Sequence, residues 1–404
     1  MKRWLKYKAA KFIDGGVRIF VSSPCWNKPQ LHLSVLSGGK YLFVVLDHLG
    51  DAVMSSSAIV ALKSSFPDCA LTVLTRPVNV PVFQNNPYVD DIMTDDAPWW
   101  SDRPVWDCLQ PAYWWNLLRN VSRIRREKYD VIVDLRGDLR HLVLFGTATK
   151  PGVLLGYGKT GGESLLSTHV PYDPCMHEID KKLALLHPLG ITGIRPSPKI
   201  WLLPEELENA TQFVGHLLGD TRSPLILLDP GGKPVQRWPL EHFASIANVL
   251  HQRFRQRVLV SAAPAYSHLA EDLVRNTGRN VALYIGKVTI RDLIALVAVC
   301  DLVISSDTGI AHIASAVGTR TVTLFGPTNP SKFWKGVPGS CAVKSPESCN
   351  MANLHETCFK PSGPVPGICM PAITPEKVLN AALETLNKGN RIEQIGHCKA
   401  GSIL

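Results

Sequence analysis

The chain has 404 residues, 45% of them hydrophobic and 19% charged, with a formal net charge of +9. That composition excludes a disordered or fibrous chain, and the length suits two domains better than one. No apolar run is long enough to span a membrane, lysines interrupt any secretory leader, and the ten cysteines are too few for a disulfide scaffold, so a cytoplasmic protein with anionic partners is expected.

Residues 1–40 read as a basic extension. Lys2, Arg3, Lys6, Lys8 and Lys11 are interleaved with Trp4, Leu5, Tyr7, Phe12 and Ile13. Such a segment either lies on an anionic lipid surface or is a solvated tail. A first domain is expected over 41–200. Residues 41–47 form a buried strand, His48-Leu49-Gly50 a turn, and Asp51 opens a helix to about residue 65. A second strand follows at 71–75. The stretch 95–115 is an aromatic-rich insert, either an acceptor-binding lip or a small satellite core. A basic helix spans 117–128, a strand 131–135, and a turn at 136–140 leads into a helix. A strand at 153–157 and a helix at 177–189 close this half. Residues 201–223 read as a linker with one short helix, and so as a hinge. The second domain, 224–390, alternates strands (225–228, 258–261, 282–285) with helices (240–253, 266–276, 290–299), and 391–404 is a tail. Alternation at this spacing means an α/β fold with a doubly wound parallel sheet.

The segment 301–328, DLVISSDTGIAHIASAVGTRTVTLFGPT, is the most informative. It reads as a strand, a polar turn, a compact helix and a second strand. The helix start faces out of the carboxyl edge of the sheet, where open α/β sheets bind ligands. Backbone N–H groups of Thr308, Gly309 and Ile310 would meet an anion there, Gly309 permits close approach, and His312 adds a donor. The plain alternative is a crossover that binds nothing, with Asp307 a helix cap and His312 a core residue.

Asp307-Thr308-Gly309, then His312, Gly318 and Leu324-Phe325-Gly326-Pro327-Thr328, resemble the nucleotide-sugar signature of family-9 glycosyltransferases. These are the bacterial heptosyltransferases of lipopolysaccharide core assembly. The resemblance implies a GT-B fold, with two Rossmann-like doubly wound parallel-sheet domains facing a central cleft. The opening strand ending in Leu49-Gly50-Asp51 is also similar to that family. By that likeness Asp51 is the general base of an inverting transfer, taking the acceptor hydroxyl proton, with Asp47 as second choice. The loop DPGGKPVQRWP resembles the family's third signature. Gly231 and Gly232 allow close backbone approach, and Lys233 or Arg237 supplies a cation, because Gln236 stands where the family carries lysine. Arg136 and Arg140 resemble the family's acceptor-side basic residues, or else pair with Asp134 and Asp138.

No Asp-x-Asp motif occurs, so no metal is expected, and no cofactor beyond the nucleotide-sugar co-substrate, ADP-heptose by resemblance. The turn after residue 261 lacks the acidic residue the family offers to the ribose, and Tyr266 is placed to cover a base instead. Cys341, Cys349, Cys358 and Cys369 read as a structural cluster or free thiols rather than a metal site. The reading is an inverting, metal-independent glycosyltransferase. Its expected partners are a nucleotide-sugar donor and a lipopolysaccharide or glycolipid acceptor, with peripheral contact on the cytoplasmic face of the inner membrane and no nucleic acid. The rivals are a nucleotide-sugar epimerase of the same build and a non-catalytic nucleotide-sugar or glycan binder.

Overall fold

The computed structural model describes residues 36–96, 110–168, 170–218, 223–262, 266–277, 282–284, 289–347 and 368–400. The basic segment 1–35, residues 97–109 of the aromatic insert, and Cys349 and Cys358 lie outside them. The chain divides into two compact units, Met1–Pro198 and Lys199–Leu404.

The first unit holds β1 (Lys40–Val45), α1 (Leu49–Ser65), β2 (Ala70–Thr75), β3 (Asp91–Thr94), α2 (Pro111–Glu127), β4 (Val131–Asp134), β5 (Val153–Gly156) and α3 (Glu178–Ala184). Its sheet is parallel, in the order β3-β2-β1-β4-β5. The strands read as continuous apolar runs because both faces are covered. On one face Leu42, Val44, Leu74, Met93, Ile132 and Leu154 pack with Leu117 and Ile124 of α2. Two elements differ from expectation. The basic helix begins at Pro111, which sets the first-turn φ, so α2 includes Trp114 and Trp115 of the expected insert. The helix after β4 is a single turn, Leu139–His141, continued by the π-helical turn Leu142–Thr147.

The second unit holds α4 (Pro204–Leu218), β6 (Leu225–Asp229), α5 (Leu240–Gln252), β7 (Arg257–Ser261), α6 (Ser267–Thr277), β8 (Ala282–Tyr284), α7 (Ile290–Ala298), β9 (Leu302–Ser306), α8 (Gly309–Val317), β10 (Arg320–Phe325), β11 (Cys341–Lys344) and α9 (Pro375–Ala400). Its strand order is β11-β10-β9-β6-β7-β8, again all parallel. Read from β6 outward this is the full doubly wound order, with the direction of winding reversing between β6 and β9. The sixth strand, β11, was not expected; Cys341 starts it as a free thiol, and Cys369 packs into the same core. Where a linker with a short helix was expected, α4 runs for 15 residues. It joins this unit because Arg291 of α7 holds its Glu206 in a two-pronged pair, at 2.5 and 2.7 Å. Trp238, 1% exposed, anchors the core under α5 and donates its indole N–H to Ile373 O at 2.8 Å. Among the described residues no helix is long and apolar enough to cross a membrane.

Candidate active site

Both units concentrate polar residues at the carboxyl edge, beside the pair of strands where the winding reverses. In the first unit that pair is β1 and β4. Asp47 follows β1, and α1 starts two residues later, so Asp51 lies in the first turn of the helix. The cap position belongs to His48, so Asp51 is a helical residue rather than a cap or the helix opener.

Asp47 is tied down. Its Oδ1 accepts from Arg136 Nη1 at 2.9 Å and from the His48 N–H at 2.9 Å. Lys182 Nζ stands 3.9 Å from its other oxygen. Burial pushes the Asp47 carboxyl up, but Lys182 and Arg136 outweigh it and the net shift is downward. Both cations are themselves fixed by carbonyls: Arg136 by Leu46 O at 2.9 Å, Lys182 by Leu135 O at 2.6 Å. Asp51 is the opposite case. No described side chain hydrogen-bonds or ion-pairs with its carboxylate. Burial, and then the charge of Asp47, push it up to about 7, against the pull of Lys182. Two carboxylates four residues apart are thereby split into a permanent anion and a group that exchanges its proton near neutrality.

Of the two predicted acceptor-side arginines, Arg136 turns its guanidinium inward to Asp47, while its backbone N–H donates to Asp134 Oδ1 at 3.2 Å. Arg140 grips Asp138 with two bonds, at 2.9 and 2.6 Å, and its side chain stays 49% exposed. Residue-level reading of the sequence missed Lys182. The available signal was a pair of lysines between Ile179 and the apolar run Leu183–Leu186, since a lysine drawn into the core by such neighbours needs a partner.

In the second unit the turn after β9 carries Asp307, with Thr308 as N-cap of α8. Thr308 is extended, no side chain caps the helix, and its own Oγ1 is buried without a partner. The first N–H groups of α8 therefore stay available to an anion. Asp307 is not the cap. Its Oδ1 lies 3.7 Å from His312 Nε2, and its carbonyl accepts from Gln236 Nε2 at 3.2 Å. Gln236 thus laces the loop after β6 to this turn. The loop itself is close-packed. Gly232 has φ +112°, and a Cβ there would sit 2.8 Å from Thr308 Cγ2, so only glycine fits. Arg237 donates to Gly232 O at 2.8 Å and lies 5.0 Å over the Tyr266 ring. Lys233 is exposed at the loop's tip.

Beneath the loop, sequence reading also missed a polar row. The registers Asp229–Ser305 and Ser305–Thr323, with Ser261 one residue past the Leu228–Val260 pair, align Ser261, Asp229, Ser305 and Thr323 across four strands. Ile226, Leu228, Val260, Ile304 and Leu324 pack the opposite face. The Ser261 and Ser305 hydroxyls are buried without partners. Burial pushes Asp229 up to about 7, against one hydrogen bond from the Gly231 N–H at 2.9 Å. Among the described residues no group of three His, Cys, Asp or Glu side chains is placed to hold a metal.

Residues 117–362 match the family model described as "Glycosyltransferase family 9 (heptosyltransferase)". The chain belongs to glycosyltransferase family 9. This family-9 enzyme is 22% identical over 294 residues to the lipopolysaccharide core heptosyltransferase OpsX of Haemophilus influenzae, covering 70% of this chain and 78% of that protein. Among solved structures it is similar to a family-9 glycosyltransferase of Veillonella parvula, with TM-score 0.71, 20% identity, and coverage of 90% of this chain and 100% of that one. It is also similar to the Escherichia coli heptosyltransferase WaaC solved with ADP, with TM-score 0.66, 16% identity, and coverage of 86% and 99%. At such identities the structural likeness establishes the GT-B fold, and the family match establishes a glycosyltransferase.

Proposed function

We propose that this glycosyltransferase moves a heptose from ADP-heptose onto a lipopolysaccharide core or a related glycan, by one inverting displacement without a divalent metal. The observation that carries the reading is the divided pair of carboxyls, with Asp47 held charged by Arg136 and Lys182, and Asp51, buried and without a side-chain partner among the described residues, pushed up to about 7. A base that exchanges its proton at neutral pH suits abstraction from a sugar hydroxyl. In the transfer, the acceptor oxygen attacks the anomeric carbon as its proton passes to Asp51. The bond to ADP breaks on the opposite face and ADP leaves with the electron pair.

The growing charge on the diphosphate needs fixed donors. The reading assigns these to the N-terminus of α8 at Thr308, Gly309 and Ile310, to the backbone at Gly231 and Gly232, and to Lys233, Arg237 and His312. Asp307 positions His312 and, through Gln236, the loop. Arg140 and Arg136 are assigned to the acceptor side. The acceptor-domain boundaries 41–200 and the donor-domain boundaries 224–390 belong to the same reading, as does a cytoplasmic enzyme that touches the inner membrane at its periphery. ADP-heptose is the donor because the relatives are heptosyltransferases and one was solved with ADP.

The test offers the purified full chain ADP-heptose and other nucleotide-sugars, with and without a truncated lipopolysaccharide acceptor, in EDTA. Acceptor mass is followed by mass spectrometry. A heptose mass gain in EDTA, reduced about 10²–10⁴-fold in Asp51→Asn, is expected. Nucleotide binding with neither transfer nor hydrolysis would replace this reading with a non-catalytic binder. Conversion of the donor sugar without acceptor would replace it with an epimerase.

A further inference from the structure

The outward face of α2 is the largest exposed apolar feature on any one helix of the described residues. Trp115 is 74% exposed, Leu118 59% and Trp114 43%. The opposite face of the same helix is seated in the core through Leu117, Asn120 and Ile124. Positions 115, 118, 122 and 125 follow one ridge of the helix, so Trp115, Leu118, Ser122 and Arg125 point the same way. The π-helical turn packed against α2 also carries an exposed residue, Val143.

The charge on this helix is mostly positive. Arg119, Arg125 and Arg126 are exposed, while Arg123 is engaged by Asp91 at 2.7 Å. The one acid of the helix, Glu127, lies 3.5 Å from Lys40 Nζ. Apolar residues fill the first half of the helix and cations the second. Asn116 and Asn120 donate to Thr94 O at 3.2 and 2.9 Å, which fixes the apolar half beside the carboxyl edge of the sheet. The strand registers place Thr94, Thr75 and Val45 in line along that edge, the edge from which Asp47 and Asp51 emerge.

We propose that this face of α2 is a docking surface for an anionic lipid bilayer. Trp115 and Leu118 enter the headgroup boundary, where indole rings are at home, and Arg119, Arg125 and Arg126 meet acidic headgroups. A second copy of the chain is a poorer occupant. A two-fold contact through this face would set its arginines against themselves, and a few apolar side chains on one helix fall short of the roughly 800 Å² per partner of a stable interface. The inference deepens the reading of a glycolipid acceptor and rests on it for its purpose, since a docked bilayer would present that acceptor to the edge bearing Asp51.

Co-sedimentation of the full chain with phosphatidylcholine vesicles, with and without phosphatidylglycerol, tests this with no donor and no glycolipid present. Failure of heptose transfer therefore leaves the vesicle result standing, and the reverse. Binding to the anionic vesicles is expected, weakened at least about tenfold by Trp115→Ser with Leu118→Ser, and similarly by Arg119→Gln, Arg125→Gln and Arg126→Gln together. Both variants should keep the wild-type thermal midpoint, because none of the five side chains is buried. A third full-length variant carries Gln at positions 2, 3, 6, 8 and 11. If it alone loses binding while the α2 variants bind like wild type, the extension is the membrane contact and the proposal fails. It fails too if wild type ignores anionic vesicles, or if the α2 changes alter only the sedimentation of a dimer.

Discussion

Asp51 and Asp47 differ by four positions in sequence and by their neighbours in space, and the neighbours decide their chemistry. If Asp51 is the base, kcat/KM rises with pH through about 7 and then levels, and Asp51→Asn loses that rise together with most of the rate. The same shift acts on stability. The folded value lies above the ordinary 3.8, so the folded state binds more protons than the unfolded one between about 4 and about 7. Stability therefore declines as pH rises across that window. Asp51→Asn should raise the thermal midpoint at about pH 8 and leave it unchanged below about pH 4, as measured by calorimetry. Lys182 pulls Asp51 down, so Lys182→Met should move the rise in kcat/KM to higher pH, a displacement that a purely structural lysine would not cause. Asp51 was legible from its place in Leu-Gly-Asp. Lys182 was not, because it arrives from a helix about 130 positions away and nothing local marks its target.

The loop after β6 shows what elements contribute. It is held by Gln236 on the Asp307 carbonyl, by Arg237 on Gly232 O, and by the contact of Gly232 with Thr308. Gly232→Ala places a Cβ at an unfavourable φ and into Thr308. The expected result is a KM for the donor raised at least about tenfold with a smaller change in kcat, seen in steady-state kinetics. Trp238→Ala should cost about 3–5 kcal/mol, because it empties the core under α5 and leaves Ile373 O unpartnered; Trp238→Phe should recover most of that in urea unfolding followed by circular dichroism. Most strands and helices were legible, since apolar runs alternating with amphipathic segments have few other solutions. The misses differ in cause. β11 is four residues long, too short to show a period, and is held by pairing with β10. α4 is amphipathic over its 15 residues, but the prolines before it read as a linker, and Arg291 ties it to the second unit.

Across the whole molecule, the net charge of +9 favours encounter with phosphorylated glycans over long range. The KM for such an acceptor should rise with ionic strength while kcat stays nearly constant, because screening acts on approach and hardly on buried groups. Repeating the titration with a neutral acceptor sugar should flatten the response. The two sheets carry their polar residues beside the strands where winding reverses, β1 and β4 in one unit and β6 and β9 in the other. That placement follows from right-handed crossovers, which leave a crevice only where helices depart to opposite faces.

Pattern and motif, read along the chain, determined the α/β class, the parallel sheets, the family, and the candidacy of Asp51 and of 307–312. These are local properties: period, turn chemistry and short signatures survive without neighbours. Only the tertiary structure decided the ionisation of those residues and the company they keep. Asp47 is charged because Arg136 and Lys182 converge on it, and Asp51 is pushed towards neutrality because it is buried beside that anion. Asp229 lines up with Ser261 and Ser305 only when three strands come into register. Desolvation and Coulomb interaction depend on distance in space, which sequence spacing does not encode.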